Sequence, residues 1–236
     1  MGVQQQKSAA GLASPVITRR VADTKARVCA VAAQKFNEES YAAVSVDQIV
    51  ALAGIARSSF YRFFHDKDDL LRQIIDPVFE LAVQELDKIA VDQPESIVNG
   101  IADSYLQVWS QRRDGLILSM KIGSTLFPLV QQSHDRYVAA ILSLMDQLQQ
   151  ARMLRHDDAR MAARLLALTT VPILQVCERH PQFRNVFRST LRGLLLKSVS
   201  GDVDLTNENG LLIAGIKIQV ARAEVVRKSK RQSRAQ

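Results

Sequence analysis

The chain has 236 residues and a formal net charge of +7; 47% of its residues are hydrophobic and 23% charged, a globular balance that excludes a wholly disordered polymer. Ten Gly and six Pro exclude a collagen-like or low-complexity chain, and two cysteines, Cys29 and Cys177, exclude a disulfide framework and fit a reducing compartment. The charge is uneven: residues 1–70 hold nine Lys/Arg against seven Asp/Glu, residues 71–220 hold sixteen of each, and residues 221–236 hold six against one. Most of the excess therefore sits at the C-terminal end, so the overall charge permits a polyanion partner without establishing a basic groove.

Residues 1–20 are polar, small and aperiodic and read as a flexible arm ending in Arg19 and Arg20. They lack the apolar block of a signal peptide, and Gln6 breaks the acylation pattern that Gly2 begins, so a cytoplasmic location is expected. Val28, Ala32 and Phe36 recur on one face and predict a first helix over 22–39. Ser45 with Gln48 three residues on is a capping box, which predicts a short helix over 46–53. Gly54 supplies a left-handed stop, and Phe60 with Phe63 or Phe64 predicts a further helix over 57–64. Asp66 is a cap for the next helix, with Asp68 and Asp69 at the positive end of its dipole and a reach to residue 90.

Beyond Pro94 the pattern stays helical, with candidates at 95–111, 115–127, 129–150, 157–178 and 182–199. Pro128 starts or kinks a helix, Pro172 bends one, and Pro181 separates the last two. The uncharged stretch 165–177 is too short for a bilayer, which needs ~20 apolar residues, so no membrane partner is expected. Residues 201–236 form a basic tail in which helix, strand and disorder all stay open. The fold expected is all-α: a helix-turn-helix domain over 21–68, then a helical bundle over 69–200.

In residues 46–64 the apolar Ile49, Ala53, Ile55 and Phe60 fall where two short helices must touch, and Gly54 sits at the bend. Such a unit fits its second helix into a DNA major groove about 12 Å wide. Arg57, Ser58 and Ser59 lie at that helix's N-terminal end, where side chains reach base edges, and the insertion extends to Arg62. Ser45 and Lys67 stand at helix starts, where free amides and dipoles favour phosphate. Tyr61 reads either as a phosphate donor or as part of the core, where its hydroxyl needs an internal partner.

Val31-Ala32-Ala33 to Phe36, Ser45-Val46-Asp47-Gln48-Ile49, Ala53-Gly54-Ile55, Tyr61 to Phe64 and Lys67 to Leu70 follow in order at fixed separations. Over residues 25–71 the chain thereby resembles the TetR family of bacterial transcriptional regulators. The resemblance implies that Ser45, Tyr61 and Lys67 touch the DNA backbone and that Arg57, Ser58 and Ser59 face bases or nearby phosphates. It also implies an effector pocket inside the bundle, with Tyr105, Trp109, Met120, Phe127 and Tyr137 as candidate lining, and no cofactor. It implies a homodimer paired through the last two helices, at Leu165, Leu168, Val186, Leu191, Leu194 and Leu195. Five positions depart from the family pattern. Ala56 stands where a Ser often caps the recognition helix, a cap worth ~1 kcal/mol. Phe63 replaces a His, Val50 a small Ala, Ser40 a Gly, and Lys35 an apolar residue.

Cys177 with His180 lacks a third metal ligand, so no metal site is expected. In His134-Asp135 and His156-Asp157-Asp158 the acidic residues fit helix starts better than catalysis. No E-x-x-H, C-x-x-C, G-x-S-x-G, G-x-G-x-x-G or Walker pattern occurs, so no catalytic residue is assigned and the chain is not expected to be an enzyme. The reading is a regulator of transcription, a repressor by default, that binds a near-palindromic double-stranded operator as a homodimer and is released by a small molecule. The alternatives are a non-specific DNA-coating protein and a helical ligand carrier or enzyme with a vestigial motif.

Overall fold

The computed structural model describes residues 15–197 apart from residue 92; the expectations for residues 1–14 and 201–236 fall outside them. Among the described residues there are eight α-helices and no strand: α1 Pro15–Glu39, α2 Val46–Ala53, α3 Arg57–Phe63, α4 Lys67–Leu86, α5 Pro94–Ser119, α6 Gln131–Gln150, α7 Ala159–Cys177 and α8 Phe183–Leu195.

The first helix begins at Pro15, not near residue 22, so Arg19 and Arg20 lie exposed on a helix and not on an arm. Proline costs nothing at a helix start, because its missing N–H would have had no partner there. The capping box at α2 is formed: the Gln48 amide donates to Ser45 Oγ at 3.2 Å, and the Ser45 amide to Gln48 Oε1 at 2.7 Å. Gly54 ends α2 at φ 62° and ψ 41°, and its N–H donates to the Ala51 carbonyl. Ala56 precedes α3 without any side-chain cap. Asp66 caps α4 by accepting from the Asp69 amide at 2.7 Å, while Asp69 accepts from the His65 amide at 2.9 Å.

The later helices differ from expectation at their ends. α4 stops at Leu86, where the Lys88 and Ile89 amides turn back onto the Glu85 and Leu86 carbonyls. The two helices expected over 95–111 and 115–127 are one run with a kink at Arg112 (φ −138°, ψ 32°), and it ends at Ser119. Pro128 lies in a 3-10 turn, Phe127–Leu129, immediately before α6. Asp158 caps α7 by accepting from the Met161 amide at 2.9 Å, as its place in the sequence suggests; Asp135 lies in the second turn of α6 and caps nothing. α8 stops at Leu195, since the next residue turns extended to pair with Leu154: the Arg155 amide donates to the Leu195 carbonyl and the Lys197 amide to the Met153 carbonyl, both at 2.8 Å.

Two apolar cores result. The first joins Val28, Ala32 and Phe36 of α1, Ile49 and Ala53 of α2, Phe60 of α3 and Leu70, Leu71, Ile74 and Ile75 of α4. The second joins Val78, Ala82 and Leu86 of α4 to α5, α6, α7 and α8 through residues such as Ile101, Met145, Leu166, Leu174 and Phe187. Because 3.6 residues make a turn, α4 gives both cores a continuous stripe.

A Cβ built on Gly54 meets nothing within 4 Å, so only its left-handed backbone demands glycine. Gly54→Ala is expected to lose about 1–2 kcal/mol in urea unfolding, and Gly54→Asn clearly less, because Asn tolerates that conformation.

Candidate nucleic-acid interface and interior cavity

Phe60 is fully buried and fixes the rotation of α3. Its neighbours therefore point outward: Arg57, Ser58, Tyr61 and Arg62 are exposed and Ser59 is half-buried. Tyr61 keeps 48% of its surface exposed, so it belongs to the outer face and not the core. Arg57 pairs with Asp47 of α2, and its second nitrogen reaches the Tyr61 hydroxyl at 3.4 Å. That pair is exposed on both sides, where water and salt screen it, so it orients Arg57 without holding it against a stronger anionic partner. Asp47 was not singled out from the sequence, because an acid ten residues before an arginine gives no periodic signal.

Ser45 is exposed and bound within its capping box. Lys67 differs from expectation. Its ammonium donates to the carbonyls of Tyr41 and Val44, both at 2.9 Å, and lies 4.2 Å from the centroid of the Tyr41 ring. Two of its three protons thus hold the loop before α2. Tyr41, also missed, donates to Asp68, and burial followed by that carboxylate pushes its hydroxyl well above the usual tyrosine range.

Inside the bundle lies a cavity of about 130 Å³. Tyr105, Met120, Phe127 and Tyr137 of the expected lining border it, with Phe79, Val108, Leu116, Ser119 and His134. Trp109 does not; it is buried in the core, with the Arg113 guanidinium 4.9 Å from its ring centroid. The Tyr105 and Tyr137 hydroxyls bond each other, and burial raises the pKa of both. The segment that closes the cavity also meets the first core: Leu116, Ser119, Met120 and Ile122 face the cavity, while Leu118 packs among the residues around α1–α4. Asn37 at the end of α1 donates to the Asp114 carbonyl, and Lys121 donates to the Asn37 carbonyl, both at 2.8 Å. A larger open groove between α1, α4 and α5 carries mixed charges, Lys25, Asp76, Glu80, Arg112 and Arg113.

On the far side, Met161, Leu168 and Val176 of α7 are exposed apolar residues, with Leu168 at 60% and Val176 at 63%. Their spacing puts them on one face, with half-buried Leu165 between. Val186 and Leu194 of α8 are half-buried against the core. Leu191 and Leu195 are correctly apolar but wrongly placed: with Phe187 they fill the subunit's own interior. His180 and Cys177 do not converge, since the His180 ring accepts from the Gln182 amide at 3.0 Å and Cys177 is buried.

Residues 28–74 match the family model for bacterial regulatory proteins, tetR family. The HTH-type transcriptional regulator EthR of Mycolicibacterium smegmatis is 32% identical over 72 residues, 30% of this chain and 33% of that protein, so the match spans about a third of the curated relative's length. A bacterial regulatory protein in the tetR family from Rhodococcus RHA1 superposes with a TM-score of 0.62 at 13% identity, covering 75% of this chain and 98% of that one. The ketosteroid transcriptional regulator of Mycobacterium tuberculosis gives 0.58 at 21% identity, covering 74% and 95%. At these identities the structural likeness concerns the fold.

Charge-assisted bonds are worth more than neutral ones, so Lys67→Met, which keeps the stem and removes both carbonyl contacts, is expected to lower the unfolding free energy by about 2 kcal/mol in urea. A loss below 0.5 kcal/mol would return Lys67 to the list of free phosphate ligands.

Proposed function

The chain belongs to the tetR family of bacterial regulatory proteins through residues 28–74, and on that premise we propose that it is a cytoplasmic repressor that binds a near-palindromic operator as a homodimer and is released by a small molecule. The observation that carries the reading is the outward face of α3, where Arg57, Ser58, Tyr61 and Arg62 stand exposed over a buried Phe60. A helix end bearing one arginine, small hydroxyls and a tyrosine suits base edges at its first turn and phosphates at its flanks. Ser45 supplies a flanking backbone contact, and Lys67 acts chiefly by holding the loop that presents Ser45.

The exposed stripe of Met161, Leu165, Leu168 and Val176 supports self-pairing, since a second copy related by a two-fold axis buries the same apolar residues on both subunits. Two-fold pairing presents two copies of α3 to the two halves of a palindrome. Release follows from the shared segment 114–122. A ligand seated against Leu116, Met120 and Ile122 pushes the residues that bond Asn37 and pack Leu118, which shifts the base of the DNA-binding domain. Such a ligand must bind the non-DNA form more tightly than the DNA form. Catalysis has no part in this reading.

Titration of the purified chain against its selected operator and against random DNA tests the whole reading: a large affinity ratio is expected, and equal affinities would leave a non-specific DNA coat. Within that assay, Tyr61→Phe is expected to weaken all sequences alike and reduce the salt slope by about one unit. Arg57→Ala is expected to change sequence preference by ~1–3 kcal/mol at one base pair, while uniform loss would make Arg57 a backbone contact. Leu168→Glu is expected to give monomers in analytical ultracentrifugation and to abolish high-affinity operator binding; a dimer that persists would move the interface elsewhere.

A further inference from the structure

We propose, resting on the ligand-release reading above, that the interior cavity takes an uncharged, apolar compound the size of a single aromatic ring and turns away organic acids and amines. Three features of the wall define this class: the space it encloses, the internal partners of its hydroxyls, and its charge.

The cavity holds about 130 Å³, close to the ~150 Å³ of an apolar cavity that stays dry and admits one benzene ring. Val78, Phe79 and Ala82 of α4, Val108 and Leu116 of α5 and Val171 of α7 supply aliphatic and aromatic surface from three helices. A second fused ring exceeds that space, and packed side chains of this kind yield only at a cost to affinity.

Each side-chain hydroxyl of the wall already has a partner inside the protein. Ser104 Oγ donates to the Ile101 carbonyl and Ser119 Oγ to the Leu116 carbonyl, both at 2.8 Å. The Tyr105 and Tyr137 hydroxyls bond each other, and whichever of them donates, both are engaged. An apolar guest therefore leaves no buried hydroxyl without a partner, so the wall does not demand a polar one.

Among the described residues that line the cavity there is no Lys, Arg, Asp or Glu. His134 does line it, with Nδ1 3.5 Å from the Asp135 carboxylate. A protonated ring there already has its counter-charge, and a neutral ring supplies none, so in both states the wall brings no spare positive charge. The burial that pushes the Tyr105 and Tyr137 hydroxyls above their ordinary range acts equally on a guest. A carboxylate or ammonium entering this space loses its water and finds no opposite charge.

The test is calorimetric titration of the purified full chain at pH 7 with toluene, with benzoate and benzylamine as an anion and a cation on the same ring, and with quinoline as an uncharged compound two rings wide. Toluene is expected to bind, and each of the others at least about tenfold more weakly. Ala82→Leu and Val108→Phe each fill part of the space, and the variants that keep the cooperative unfolding of the unaltered chain are expected to bind toluene at least about tenfold more weakly. Tyr105→Phe combined with Tyr137→Phe keeps both rings and removes both hydroxyls; it is expected to leave toluene ahead of the other three probes. Benzoate, benzylamine or quinoline binding the unaltered chain as tightly as toluene, toluene failing to bind, or toluene unaffected by a folded filling variant overturns the proposal. Operator affinity at saturating toluene separates the two readings: selective toluene binding that leaves DNA affinity unchanged keeps the ligand class and rejects ligand-driven release.

Discussion

The fold depends on α4 being buried in two cores at once. Leu70, Leu71, Ile74 and Ile75 lock its first half into the domain that carries α3, and Val78, Ala82 and Leu86 lock its second half into the bundle. Burying a side chain of this kind is worth roughly 1.5–3 kcal/mol, so neither half can be displaced cheaply by itself. A rigid rod seated at both ends must move as one piece or tilt about its middle. Around that middle sits Pro77, which has no N–H for the helical ladder. The cavity opens beside the second half, at Val78, Phe79 and Ala82.

α3 is the opposite case. Seven residues with no side-chain cap cannot hold a helix in water, where isolated helices need ~12–15 residues even with favourable composition. Its conformation is therefore imposed by Phe60 in the core, by the Gly54 turn before it, and by Asp66 and Asp69 starting α4 after it. The outward face of α3 is thereby set by residues that lie outside that face.

What the sequence discloses and what it hides divide along physical lines. The Ser45–Gln48 box, the Gly54 stop, the uncapped Ala56 and the Asp66 cap are local, requiring residues within four positions of one another, and each was readable. Periodicity likewise located the all-α bundle and placed Arg57 and Ser58 outward. The misses are non-local. Lys67 meets carbonyls more than twenty positions away, Arg57 meets Asp47 across a turn, and neither pairing leaves a periodic trace. Leu191 and Leu195 show why a leucine-rich helix is ambiguous: periodicity identifies its apolar face without saying whether its own subunit or another covers it. Trp109 shows the same for the interior, since bulk fits a cavity wall and solid core equally well. The start of α1 was misplaced because Thr18, Arg19 and Arg20 interrupt the apolar pattern before Val21, and residues that stay exposed leave no core-facing signal even when the backbone continues.

The stripe along α7 has a consequence for dosage. A lone subunit keeps Met161, Leu168 and Val176 wet, and in the self-pairing proposed above a second copy relieves the hydrophobic cost of that exposure. On that proposal, where the cell holds few copies the amount of paired protein rises with the square of the total, so halving expression removes more than half of the molecules able to occupy a two-fold site. Control by such a dimer would accordingly switch over a narrower span of gene copy number than a one-subunit binder could give.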